Sequence, residues 1–186
     1  MTGLIVAFLG TNVDGFLCLA AAFAVDPPAS RVRALAAATA AFALLLLTAY
    51  AVSLAIGRLP VGAVAWFGLV PIGIGVVRLV HGIRVVKRPA TQEQLSSESS
   101  VFSIVLATGA DNVAVYAPIF ALQSVANGLS IAAAYLLLWI AGCFALAFIT
   151  PDFPKVHALK RFLEPALAVF FIAIGCAIVF RGGVRI

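Results

Sequence analysis

The sequence has little charge. Only 10% of its 186 residues are Asp, Glu, Lys or Arg, whereas 64% are hydrophobic. Soluble domains contain about 25% charged residues. The shortage excludes a soluble globular domain and indicates an integral membrane protein. The twelve Lys and Arg residues form no basic patch with interleaved aromatic side chains, so nucleic acid is not an expected partner.

Three further absences exclude other classes. The nucleotide-binding pattern G-x-x-x-x-G-K-[ST] does not occur, which argues against an intrinsic ATP-driven pump. The three cysteines lie in three different apolar runs and no two are close in sequence, so a disulfide framework is not expected. An electron carrier would need paired cysteines in facing spans, and Cys18 has no partner in the fourth run. No Lys or Arg precedes Asp14, which itself interrupts the first apolar run. A cleaved signal peptide ending at Ala22-Phe23-Ala24 is therefore not expected.

Long apolar runs, in contrast, are abundant. A helix that crosses about 30 Å of hydrocarbon needs about 20 apolar residues, and the sequence contains six such runs. They cover residues 3–25, 32–57, 61–83, 101–123, 128–150 and 162–180. We therefore expect a multi-pass protein that is embedded in the lipid bilayer.

The basic residues near the ends of these spans predict the orientation of the chain. Eight lie in the loops that join spans 1 and 2, 3 and 4, and 5 and 6, whereas three lie on the opposite side. The eight are Arg31, Arg33, Arg84, Lys87, Arg88, Lys155, Lys160 and Arg161. Cytoplasmic loops carry the excess of Lys and Arg. These three loops are therefore expected in the cytoplasm, and both termini outside.

One polar stretch, residues 87–100, divides the chain into two halves. Its Pro, Gln and Ser content predicts a cytoplasmic linker. The first half, residues 1–86, and the second half, residues 101–186, each contain three of the predicted spans.

The two halves also share matched positions. Asp14 corresponds to Asp111 at an offset of 97, and residues 72–75 (IGIG) correspond to residues 172–175 (IAIG) at an offset of 100. A duplicated unit with three spans inserts in opposite orientations. The sequence therefore predicts an all-α membrane protein with six transmembrane helices in two inverted three-helix repeats. In such folds the binding site lies near the midplane, at the repeat interface and on interrupted helices.

Both spans that contain an aspartate also contain residues that weaken a helix. These are Gly10 and Gly15 in the first span, and Gly109 and Pro118 in the fourth. We expect helix breaks at these residues, where backbone carbonyls can turn toward a cavity.

The two aspartates are the main functional candidates. A carboxylate at the middle of a membrane span costs about 2.5–3.5 kcal/mol to insert, so such residues indicate a functional site. The structural alternative is a pair of protonated carboxyls that hydrogen-bond between helices. Asp14 and Asp111 each follow a threonine by three residues and lie within two positions of an asparagine. The surrounding polar residues are Thr11, Asn12, Thr108 and Asn112.

Together these side chains predict an oxygen-rich cation site. Two carboxylates neutralise one divalent ion, which offsets much of the cost of burying either charge. Cys18 lies on the same helix face as Asp14 and is either a soft ligand for a zinc- or cadmium-like ion or a small apolar side chain. Arg78 and His81, near the end of span 3, are interpreted as snorkelling to the interface, with gating or proton transfer as the alternative.

Three runs carry a resemblance to a known family. GTNVDGFLCL (10–19), WFGLVPIGIG (66–75) and TGADNVAVYAPIF (108–120) resemble the cadmium-resistance transporter family of the LysE-type exporter superfamily. The similarity covers all six spans in order, and G-A-D-N-x-x-x-Y-x-P-x-F is its most specific part. Members are small bacterial inner-membrane proteins associated with export of cadmium or other cations. The resemblance therefore implies that location and no cofactor apart from the transported cation.

Several positions match the motifs of this family. The aspartate of its first helix falls on Asp14, and its Gly-Ala-Asp-Asn falls on residues 109–112. The resemblance adds Tyr116 to the supporting polar residues. The motif Gly-Leu-x-Pro falls on residues 68–71, and Pro71 becomes a candidate for gating together with Arg78.

Two positions depart from the family. Many relatives carry a second acidic residue where this chain has Gly15, and some cadmium-associated relatives carry a cysteine where it has Thr108. Because a thiolate favours soft ions, its loss weakens cadmium specificity more than it weakens cation export.

These features predict a transporter, not an enzyme, that exports a divalent heavy-metal cation of cadmium or zinc type. Outward movement of a divalent ion against 100 mV costs about 4.6 kcal/mol. Exchange for two protons on the same carboxylates would make the cycle electroneutral. The alternative is an exporter of an amino acid or another small cationic solute. An intramembrane aspartyl protease is more remote, because Thr108 replaces the first glycine of Gly-x-Gly-Asp. A homo-oligomer is left open.

Overall fold

The computed structural model describes residues 2–25, 28–82, 98–148 and 153–183, in which all regular secondary structure is helical. The helices of this part are α1 (Thr2–Val25), α2 (Pro28–Ile56), α3 (Val61–Trp66), α4 (Leu69–Gly82), α5 (Glu98–Thr108), α6 (Ala110–Ala121), α7 (Val125–Phe148) and α8 (Phe153–Gly183). Residues 87–97 of the predicted linker lie outside the described residues.

Several of these helices can cross a membrane. Three described stretches are long and apolar enough: Arg31–Ile56, Ala63–Val80 and Val125–Ala147. A fourth crossing results if α5 and α6, which meet at a 51° bend, form one span. Large apolar side chains on these helices stay exposed, as Leu47 and Leu137 do, which is typical of a surface in contact with lipid. The chain is thus a multi-pass membrane protein, and the part that the structure describes is all-helical.

The first aspartate-bearing span is not interrupted. Helix α1 continues through Gly10 and Gly15, so the breaks predicted there are wrong. Both glycines instead permit close packing: a Cβ at Gly10 would collide with the ring of Phe170 in α8, and one at Gly15 would lie 3.1 Å from the ring of Trp139 in α7. A continuous helix satisfies its backbone hydrogen bonds, which a bilayer demands.

The second aspartate-bearing span is interrupted at Gly109, between α5 and α6. A Cβ at this position would collide with Leu45 of α2, so the bend depends on a residue without a side chain. The break predicted at Pro118 is wrong, because α6 continues past this buried proline to Ala121. Membrane helices tolerate a proline where neighbouring groups satisfy the freed carbonyl.

Helices α4 and α8 pack against each other through small residues. Gly68 lies against the backbone of Gly175, and Gly75 lies against Ile172. Residue numbers rise along α4 while those of the contacting residues fall along α8, so the two helices are antiparallel. The contacts are also reciprocal, since Gly175 lies against Ile72. Small residues of this kind let membrane helices approach closely.

A cluster of aromatic side chains fills the centre of the bundle. Trp139 of α7 stacks on Phe42 of α2, with ring centroids 4.5 Å apart, and on Phe16 of α1 at 4.8 Å. Tyr116 of α6 packs against Tyr135 of α7 at 4.9 Å. Close packing, rather than water exclusion, holds helices together in lipid. This cluster forms an apolar wall beside the polar side chains of α1 and α6.

Candidate functional site

The two aspartates meet at one arginine. Arg78 Nη1 lies 2.9 Å from Asp14 Oδ2, and Arg78 Nη2 donates to Asp111 Oδ2 at 2.6 Å. The three side chains come from α1, α4 and α6 and are 28% (Arg78), 19% (Asp14) and 11% (Asp111) exposed. A single guanidinium therefore links both carboxylates and neutralises one of their two charges.

The geometry of α4 explains why Arg78 reaches the aspartates. In an α-helix each Cα–Cβ bond tilts toward the helix N-terminus, which for α4 is the end away from Gly82. The side chain of Arg78 thus extends toward the interior, and its guanidinium also lies over the ring of Phe171 in α8, 5.0 Å from the centroid. The snorkelling interpretation of Arg78 is wrong, because its charge is paired inside the bundle.

The break at Gly109 sets the position of Asp111. Asp111 lies in the first turn of α6, and a helix N-terminus favours a negative charge. Its Oδ2 contacts Arg78, whereas its Oδ1 is buried without a hydrogen-bond partner. One carboxylate oxygen of Asp111 is thus free to accept a further contact.

A buried polar layer joins α1 and α6 next to the carboxylates. Asn12 Nδ2 donates to the hydroxyl of Tyr116 at 2.6 Å, and the hydroxyls of Thr11 and Tyr116 are 2.6 Å apart. Asn112 Nδ2 donates to Asn12 Oδ1 at 3.1 Å. All four side chains are at most 4% exposed. The structure thus brings together the two asparagines, Thr11 and Tyr116, and joins them across the halves.

A cavity of about 10 Å³ adjoins this layer, which is room for about one water-sized group. Two residues on its wall have buried polar atoms without partners: Asn112 Oδ1 and Trp139 Nε1. Thr108 also lines the cavity, but its hydroxyl donates to Ile104 O of its own helix at 2.8 Å. The lining residues are Thr11, Asn12, Gly15, Phe42, Val105, Thr108, Gly109, Asn112 and Trp139.

Two other candidates, Pro71 and Cys18, belong to α4 and α1. Pro71 is buried in the first turn of α4, where its missing N–H costs no helical hydrogen bond. Cys18 belongs to α1, one turn beyond Asp14, and its side chain lies outside the described residues. Among the described residues no group of three or more His, Cys, Asp and Glu side chains forms a metal site.

Comparison with known families decides the class. The chain matches the family described as Cadmium resistance transporter over residues 8–184. It belongs to that family. The match to the cadmium resistance transporter family begins within α1 and ends beyond α8, so it covers α2 to α8 completely and most of α1. No curated protein and no solved structure matches the chain.

Membership of the cadmium resistance transporter family agrees with a transporter rather than an enzyme. It also agrees with the apolar helices, which indicate a membrane protein. Two carboxylates beside one guanidinium, with free oxygens on Asp111 and Asn112, form a site with an excess of negative charge. Such a site can attract a cation.

Sequence reasoning named Arg78 as a gating candidate but missed its pairing with the two aspartates, although a signal was available. It is a basic residue inside a predicted span, and the chain places two acidic residues inside other spans. Ionisable residues within a membrane pair with one another, so this combination predicts a pair or a triad.

Proposed function

We propose that this transporter exports a divalent cation of cadmium or zinc type in exchange for protons, and that Asp14 and Asp111 bind the cation. The observation that carries the proposal is the convergence of both carboxylates on one positive charge, the guanidinium of Arg78. A position between two carboxylates that accepts one cation can accept another when the arginine withdraws.

The unpaired oxygens support this ligand set. Asp111 Oδ1 and Asn112 Oδ1 are buried without donors, which is costly unless a ligand compensates for it. Carboxylate and amide oxygens are ligands of divalent cations. Cys18, one helical turn from Asp14, is proposed as a further ligand for soft ions.

Proton exchange follows from the cost of transport. Export of a divalent ion against 100 mV costs about 4.6 kcal/mol, at about 2.3 kcal/mol for each charge. Two protons that return on the two carboxylates offset this electrical work. Protons and metal then compete for the same oxygens, so metal affinity falls as the pH falls.

The proposal includes six transmembrane helices in two inverted repeats, with both termini outside the bacterial inner membrane, and a place in the LysE-type superfamily. Helices α1 and α8 contain 24 and 31 residues, which exceeds the roughly 20 needed to span hydrocarbon. The reciprocal contacts of α4 with α8 support the repeat, because matched residues contact each other in the way that a two-fold axis requires.

A second candidate, export of an amino acid or another small cationic solute, also has a supporting observation. The two carboxylates already hold a guanidinium, so an ammonium or guanidinium group of a solute has the right charge. The contact of Arg78 with both aspartates argues against an aspartyl protease. In such enzymes the two catalytic carboxylates share a proton, whereas here they share a guanidinium.

The deciding experiment is thermal unfolding of the purified protein in detergent. The panel compares cadmium, zinc, manganese, calcium and magnesium salts with lysine and arginine. Cadmium or zinc should raise the unfolding temperature of the wild type and should have no effect on the double variant D14N/D111N. Stabilisation by amino acids alone would favour the second candidate, and equal metal effects on both proteins would disprove the carboxylate site.

Proteoliposomes test the coupling. An inward proton gradient should drive metal efflux, and the membrane potential should have little effect. Flux that follows the voltage and ignores the pH gradient would show a uniporter or channel.

A further inference from the structure

We propose that Arg78 is a tethered cation that occupies the transport site between cycles, and that it makes the site selective for divalent over monovalent cations. This inference rests on the proposed function, because it assumes that Asp14 and Asp111 bind the transported ion.

The first step is the geometry of the contact. Arg78 uses two different nitrogens, one for each carboxylate, and contacts a single oxygen of each. It therefore bridges the two aspartates at the point where a shared ion would bind. It does not form a bidentate ion pair with either carboxylate, and the second oxygen of Asp111 has no hydrogen-bond partner.

The second step concerns charge. An incoming ion must displace a guanidinium that is ion-paired with both carboxylates and donates a charge-assisted hydrogen bond to Asp111, which is the stronger kind of hydrogen bond. A monovalent ion would exchange one unit charge for another and lose that hydrogen bond. A divalent ion doubles the Coulomb attraction to each carboxylate at the same distance and dielectric constant. Only the divalent ion gains enough to replace Arg78.

The third step is the position of the released side chain. The guanidinium already lies over the ring of Phe171, and the side chain is 28% exposed. A cation over an aromatic face keeps a favourable interaction after it loses an ion pair. Arg78 can thus leave the carboxylates without becoming an unpaired charge in an apolar environment.

The other half of the molecule has no counterpart to this cation. At the offset of 100 that relates α4 to α8, Arg78 corresponds to Ile178, which is buried. The proposed selectivity for divalent over monovalent cations therefore depends on the side chain of Arg78 and can be removed by one substitution.

The test is cadmium binding to purified wild type, R78Q and R78K. The measurement is titration calorimetry at rising NaCl, with the ionic strength held constant by N-methyl-D-glucamine chloride. In R78Q, cadmium should bind about tenfold tighter or more, and sodium should now compete with cadmium. R78K, whose ammonium is a point charge without the planar fork, should bind cadmium more tightly than wild type but less tightly than R78Q.

Each outcome decides a different point. Unchanged cadmium affinity and no sodium competition in R78Q would overturn the inference, since a merely structural arginine would leave both unaffected. If R78Q does not fold, an affinity of R78K equal to or below that of wild type would overturn it. Failure of the proposed function has a different signature, because cadmium would then bind none of the three proteins through the carboxylates, and D14N/D111N would match wild type.

Discussion

The two halves of the chain place matched aspartates in different electrostatic environments. Asp14 lies near the middle of the unbroken α1, far from either helix end, whereas Asp111 lies in the first turn of α6. Asp111 therefore benefits from the positive end of a helix and from Arg78, while Asp14 depends on Arg78 alone. The two halves thus contribute to one site in unequal ways.

The largest effect is expected when either carboxylate is removed. Asp14→Asn and Asp111→Asn should each reduce cadmium efflux from proteoliposomes to background, because the amide keeps the shape but cannot neutralise a divalent ion. Thr48→Ala is the control: Thr48 is exposed on α2 and donates to Leu44 O of its own helix at 2.8 Å. Its flux should equal that of wild type. Full activity in one aspartate variant would show that the halves do not share one site.

The second-largest effect is expected on the free energy of unfolding, and it distinguishes Asp14 from Asp111. Without divalent cations, Arg78→Gln should lower the free energy of unfolding by about 1–3 kcal/mol, which is less than the loss from breaking a fully buried pair. Adding Asp14→Asn should restore more stability than adding Asp111→Asn, because Asp111 retains the N-terminus of α6. Chemical unfolding in detergent measures both double variants. Equal recovery would refute the asymmetry.

A smaller effect is expected in the polar layer that joins the halves. Tyr116→Phe removes the hydroxyl that contacts Thr11 and Asn12 and should cost about 2 kcal/mol, since buried polar groups lose their partners. Tyr135→Phe, which removes one hydrogen bond to Leu4 O, should cost about 1 kcal/mol. Thermal unfolding distinguishes them, and the reverse order would contradict the importance of the layer.

The smallest effect is expected for glycine substitutions in the two aspartate-bearing spans, one interrupted at Gly109 and one continuous through Gly15. Gly109→Ala should cost about 1 kcal/mol or slightly more, because its methyl group would collide with the side chain of Leu45 and lie 2.9 Å from the carbonyl oxygen of Val105. The side chain can move, but the carbonyl contact requires a backbone shift. Gly15→Ala should cost less, since its methyl group would lie 3.1 Å from the ring of Trp139, which can move slightly. Unfolding midpoints of the two variants provide the measurement. If Gly15→Ala lost more stability than Gly109→Ala, the close packing around α1 would tolerate a methyl group less well than the bend between α5 and α6.

Much of the fold could be predicted because a bilayer imposes a simple rule. Spans need about 20 apolar residues, so most helix ends of the structure lie close to the predicted ends. The exception is α8, which begins at Phe153 although the predicted span begins at residue 162. The helix breaks could not be predicted equally well. Gly10, Gly15 and Gly109 are the same residue type, and whether a glycine ends a helix depends on the neighbour that packs against it. Of these three glycines, only Gly109 lies at the junction of two helices.

The candidate site, too, could be predicted only in part from the sequence. The pattern around Asp14 and Asp111 indicates a polar centre because charge within a membrane is costly. The partner of the two aspartates is 33 residues from one of them along the chain, and only the packing of α4 against α8 and α6 determines where its side chain points. Local spacing contains no information about that packing.

The polar layer is held together by hydrogen bonds between uncharged side chains. Asn112 donates to Asn12, and Asn12 donates to the Tyr116 oxygen. The Thr11 hydroxyl lies 2.9 Å from the carbonyl oxygen of Ala7 and 2.6 Å from the Tyr116 hydroxyl, and either hydroxyl can donate to the other. Asparagine, threonine and tyrosine side chains neither release nor take up a proton near neutral pH. The proposed proton exchange therefore depends on the carboxylates beside the layer, because the layer itself supplies no proton carrier.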